Sequence, residues 1–130
     1  MKIASLVARL LLGLLFVFSG SNHLLHSLPS GPLPPGPEGQ FMAALGTTGY
    51  MNVVAGLEAA GGLLLVIGRF LPLGLTFLAP VIVNIALFHL FIEHRGLPGI
   101  LPLVALWLLA AWRVRTSFYP LFEQRIPKET

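Results

Sequence analysis

Gly49–Arg69 reads GYMNVVAGLEAAGGLLLVIGR. Its apolar length matches the run of about 20 residues that a helix needs to cross a bilayer. One carboxylate, Glu58, stands near its middle. An ionisable side chain at that depth costs about 2.5 kcal/mol or more, so it faces a bundle interior and has a partner or a task. Small residues recur along the same segment at Ala55/Ala59 and Gly56/Ala60, with Gly61 and Gly62 beyond. This spacing lets helix backbones approach closely in lipid, where packing rather than water drives helices together.

The remainder of the chain has the same character. Its 130 residues are 55% hydrophobic and 10% charged, with a mean hydropathy of +0.84. A soluble domain carries about 25% charged residues, so the composition indicates an integral membrane protein. A net charge of +3 raises the question of nucleic acid. The basic residues flank apolar segments instead of clustering with aromatics, which excludes a nucleic-acid partner. With no cysteine, thiolate metal sites and disulfides are also excluded.

Four spans are expected, near residues 3–25, 50–68, 73–92 and 98–112, as one membrane domain covering 1–130. Lys2 followed by an apolar run and Ser19-Gly20-Ser21 also fits a secretory signal peptide. Arg9 interrupts that run and apolarity resumes at Leu24 and Leu25, which favours a retained helix. Arg9 reads as an anchor snorkelling to the near interface. The segment from Ser27 to Pro37 holds five prolines and reads as an extended external loop. Glu38–Leu45 follows as a short interfacial helix, which Gly46 ends, with Thr47 or Thr48 capping the next span. In the third span Pro80 should kink the helix and free the carbonyl of Thr76. Pro98 suits a first helical turn.

Four spans put both termini on one side. With the termini inside, Lys2, Arg9, Arg69, Arg113, Arg115, Arg125 and Lys128 are cytoplasmic and Arg95 alone is outside, which satisfies the positive-inside rule. The fold class is therefore an all-α membrane four-helix bundle with cytoplasmic termini and an extracytoplasmic interfacial helix. In that topology Asn22 and His23 close the outer end of the first span. Glu58 lies roughly 12 Å below the outer end of the second, and Asn84 and His89 fall in the outer half of the third. Asn84 and His89 stand about 140° apart around their helix and do not share a narrow stripe.

Two readings of these residues stand side by side. Glu58, Asn84, His89, Asn22 and His23 can line an outward-facing polar pocket, where a protonated carboxyl hydrogen-bonds a carbonyl or relays a proton to a histidine. Alternatively, Glu58 and Asn84 are interhelical pins that set register. Histidines 23, 26 and 89 could ligate a metal or haem, but no fixed ligand spacing supports this, and no metal site is expected.

Ala8–Leu25 (ARLLLGLLFVFSGSNHLL) resembles the first helix of the DoxX family of small bacterial membrane proteins, and Thr48–Leu90 is similar to its central helix pair. The shared pattern combines a Gly-Tyr start, a mid-helix glutamate, Gly-Gly and a Pro…Asn…Phe-His run. The proline-rich loop is longer than that pattern. The resemblance implies a four-helix protein of the bacterial inner membrane, associated with quinone-linked or oxidative-stress-related oxidoreductase systems. The expected function is an accessory subunit with no built-in cofactor, contacting a quinone and a partner membrane or redox protein. A non-enzymatic assembly protein and an oligomeric carrier of small solutes or lipids are the alternatives, the latter as a homo-oligomer in the lipid bilayer.

Overall fold

A computed structural model of the chain describes residues 2–26 and 31–125. Residues 27–30 of the proline-rich loop and the tail from 126, including Lys128, lie outside the described residues. All regular structure among the described residues is helical. The elements are α1 (Lys2–Leu25), α2 (Pro37–Thr47), α3 (Tyr50–Ile67), α4 (Leu71–Phe91) and α5 (Leu97–Arg113), with 3₁₀ turns at His94–Gly96, Arg115–Ser117 and Tyr119–Phe122. Four of the helices, α1, α3, α4 and α5 with its preceding turn, are long and apolar enough to cross a membrane.

The four long helices close a ring. α1 packs on α3, α3 on α4, α4 on α5, and α5 returns to α1. The α1–α3 seam is the tightest because glycines remove the side chains that would hold the backbones apart. A Cβ on Gly13 would sit 2.8 Å from the Gly62 carbonyl oxygen, and one on Gly20 would sit 2.5 Å from that of Ala55. The adjacent glycines of α3 serve different neighbours. Gly62 faces α1, whereas Gly61 meets Leu78 and the Gly74 carbonyl of α4. Gly56 has open space instead, so the Gly56/Ala60 pair takes no part in close packing.

A core of Leu12, Phe16, Leu65, Leu75, Leu78, Val81, Ile82, Ala110 and Ala111 fills the ring. The Trp107 indole N–H of α5 donates to the Leu75 carbonyl of α4 at 3.0 Å. Most other large apolar side chains point outward, as a lipid solvent permits. The spanning window of α5 is 11% buried, against 33% for α1, so α5 offers the most uncovered surface.

Local chemistry explains most helix boundaries. Pro37 begins α2 and Pro98 stands in the first turn of α5, where a missing N–H costs nothing. Gly46 does not end α2. Thr47 and Thr48 instead donate their hydroxyls to the Ala43 and Ala44 carbonyls at 2.7 and 2.6 Å. The break falls at Gly49, whose φ of +79° suits glycine. Thr48 does accept a long 3.4 Å bond from the Tyr50 N–H. Gly68 (φ +81°) closes α3, and its N–H returns to the Leu64 carbonyl. α4 runs through Pro80 as one helix of 21 residues.

The two ends of the bundle differ in content. One, the loop end, carries α2 and the turn between α4 and α5. The other, the terminal end, gathers the start of α1, the α3–α4 reversal and the end of α5.

Candidate functional site

Glu58 is 3% exposed and accepts a hydrogen bond from the Ser19 hydroxyl of α1, with Ser19 Oγ 3.1 Å from Glu58 Oε2. The neighbouring Gly20 makes that bond feasible. Its bare Cα lets α1 approach Ala55 and Ala59 of α3 closely enough for a short serine side chain to reach the carboxyl. This serine of the Ser19-Gly20-Ser21 run is the partner that the buried carboxyl requires. Asn22 lies one turn further along α1 and is partly buried.

The remaining polar residues read from the sequence are not gathered around Glu58. Asn84 is exposed on α4, and its Nδ2 donates to the Pro80 carbonyl of its own helix at 2.9 Å. It pairs with neither Glu58 nor the Thr76 carbonyl. The Thr76 hydroxyl likewise turns back within α4, donating to the Pro72 carbonyl at 2.7 Å. His23 is partly buried, with its ring centroid 6.0 Å from that of His26. His89 Nδ1 lies 2.9 Å from Glu93 Oε2 and 3.1 Å from the Glu93 carbonyl oxygen. Among the described residues no group of three or more histidines and carboxylates could hold a metal ion.

Glu93 organises the loop end. It is 9% exposed and caps the 3₁₀ turn, accepting bonds from the backbone N–H groups of Arg95 at 2.8 Å and Gly96 at 2.9 Å. The Arg95 Nε donates to Oε1 at 2.9 Å, and Arg95 Nη2 reaches Glu38 of α2 at 3.3 Å. Phe41 of α2 rests on Phe88 of α4 with ring centroids 5.2 Å apart. The short helix is thereby tied across the loop end. Burial works against the Glu93 charge but is outweighed by hydrogen bonds from the Arg95 side chain, the Gly96 and Arg95 N–H groups and His89. The carboxyl is lowered from 4.5 to about 2. The His89–Glu93 spacing of four residues was the signal in the sequence for this pairing.

A cavity of about 380 Å³ opens at the terminal end, bordered by residues including Lys2, Ser5, Arg9 and Arg113. Glu58 is not among its walls. With this geometry in place, comparison with known proteins gives a family match. The DoxX family model matches residues 4–95, which takes in Ser19, Glu58, Asn84, His89 and Glu93 and stops before α5. No curated protein and no solved structure matches the chain.

Proposed function

The chain belongs to the DoxX family, and from that premise we propose that it is an accessory membrane subunit of a quinone-linked or oxidative-stress-related oxidoreductase system, with no redox centre of its own. The observation that carries this reading is the closed setting of Glu58. At 3% exposure and bonded to Ser19 in a seam of touching backbones, the carboxyl sets the register of α1 on α3. An interhelical bond of this kind contributes about 0.6 kcal/mol on average in membranes and at most roughly 1.7, enough to choose one register. The apolar outward faces, most extensive on α5, then serve to meet lipid or the membrane segment of a redox partner.

In this reading the protein lies in the bacterial inner membrane with its termini cytoplasmic, as the distribution of Lys and Arg favours. A reporter enzyme active only outside the cytoplasm stays silent when fused to the carboxyl terminus and is active when inserted at Gly36. The reverse pattern overturns the orientation.

Purification in mild detergent, followed by mass spectrometry and an absorption spectrum, tests the subunit role. The expected result is a stoichiometric partner polypeptide carrying the redox group. Recovery of this chain alone overturns the reading. Glu58→Gln should leave both the partner and membrane quinone reduction unchanged, since glutamine still accepts the Ser19 hydroxyl. Loss of quinone reduction with the partner still bound would instead make Glu58 part of a quinone pocket.

A further inference from the structure

Among the described residues the cations at the terminal end have no carboxylate paired to them. Lys2 and Arg9 enter from α1 and Arg113 from α5, and together with the buried Ser5 they border the 380 Å³ cavity. Its apolar floor includes Leu65 and Leu75. Among the described residues every ion pair belongs to Glu38 or Glu93 at the loop end, and none involves Lys2, Arg9 or Arg113. Among the described residues the Arg9 Nε is buried without a hydrogen-bond partner. Its guanidinium is packed beside Gly68, where a Cβ would come within 3.1 Å of Nη1. A second cavity of about 230 Å³ shares Lys2, Ser5 and Arg113 with the first and extends to Trp112 and Arg115.

Cations gathered at one cavity repel one another, and an anion bound among them offsets that repulsion. Guanidinium groups bind phosphate oxygens through paired N–H donors, and basic recesses between membrane helices suit anionic head groups. Arg115 is already engaged, donating to the Trp112 carbonyl at 2.8 Å and stacking 4.5 Å from the centroid of that ring. That leaves Lys2, Arg9 and Arg113 to meet a ligand. We propose that the terminal-end cavity is an anion site that binds a phosphate group, with Arg9 as its central donor. The leucine floor favours a phospholipid head group whose glycerol and acyl portions continue into the membrane, and free phosphate is the other source of the same chemistry.

Native mass spectrometry of the whole purified chain in mild detergent tests this, with phosphatidylglycerol, phosphatidylcholine and inorganic phosphate as probes. Phosphatidylglycerol should be retained at least tenfold more tightly than phosphatidylcholine, and Arg9→Gln should remove most of that preference. Arg113→Gln, at the exposed rim, should weaken it several-fold without disturbing the seam. Arg69→Gln, on the exposed reversal outside the cavity walls, should leave it unchanged. Competition by inorganic phosphate would identify the phosphate group itself as sufficient. Retention of phosphatidylglycerol without such competition would assign the site to lipid. Equal retention of the two lipids with no bound phosphate overturns the proposal, as does a preference that survives both Arg9→Gln and Arg113→Gln. None of these outcomes depends on a redox partner, so the site and the subunit role succeed or fail separately.

Discussion

The two ends of this bundle treat charge in opposite ways. At the loop end Glu93 and Glu38 satisfy Arg95, His89 and two backbone N–H groups, and the result is a closed knot that holds α2 in place. At the terminal end Lys2, Arg9 and Arg113 border a cavity with no carboxylate paired to them among the described residues. Charge neutralised within the chain produces rigidity at one end, and charge left over produces a place for a ligand at the other. Between the ends lies the α1–α3 seam, where Glu58 bonds a serine.

The largest disturbance should come from breaking the seam that holds both ends in register. Gly20→Leu forces a side chain toward the Ala55 carbonyl and the Ala59 nitrogen, and overpacking of this kind costs about 1–3 kcal/mol or more. The detergent-solubilised variant should unfold at a clearly lower temperature and lose the Ser19–Glu58 bond. A Gly56→Leu control, placed in open space, should melt like the parent.

Next in size, Glu93→Ala should loosen the loop end alone. It leaves His89, Arg95 and the Gly96 N–H without their shared acceptor, so hydrogen exchange should rise in α2 and the 3₁₀ turn. Protection around Leu65 and Leu75 should stay unchanged. The same end should respond to acid. Since the folded Glu93 carboxyl sits at about 2 against an ordinary 4.5, its contribution is complete above 4.5 and is lost as pH falls through about 2. Melting curves of the parent and Glu93→Gln, recorded from neutral pH down to 2, should therefore converge only at the acid limit. The smallest effect is expected for Glu38→Gln. It removes one ion pair, at 3.3 Å, to an arginine that is 83% exposed, and pairs of this kind contribute little. Its melting temperature should match that of the parent within measurement scatter.

Length and apolarity made the four spans legible, because a helix in lipid must satisfy its own backbone and declares itself by composition alone. The inward placement of Glu58 was legible for the same reason, since a lone carboxylate in such a segment is expensive. Its partner was not, because Ser19 reads as one more small residue until Gly20 is seen to let the helices touch. The grouping of Asn84 and His89 with Glu58 did not materialise. Helices that are apolar all round give no amphipathic phase to tell an inward face from an outward one, and Asn84 could satisfy itself on the Pro80 carbonyl four residues earlier. Glu93 escaped notice because a charge in a short loop reads as solvated, although His89 stands at the spacing that would have paired them. Arg9 read as a simple anchor. It does reach toward the terminal end, but into a cavity wall where its Nε meets no acceptor.

The contact of α1 with α5 has a consequence for the order of events during synthesis. Lys2 and Arg9 enter the membrane with the first span, and Arg113 arrives only with the last. Domains are made from the amino terminus onward at about 5–20 residues per second, so the ring stays open until α5 has been made. The cationic recess comes into being at that closing step, and a ligand held there would mark chains in which the ring has closed.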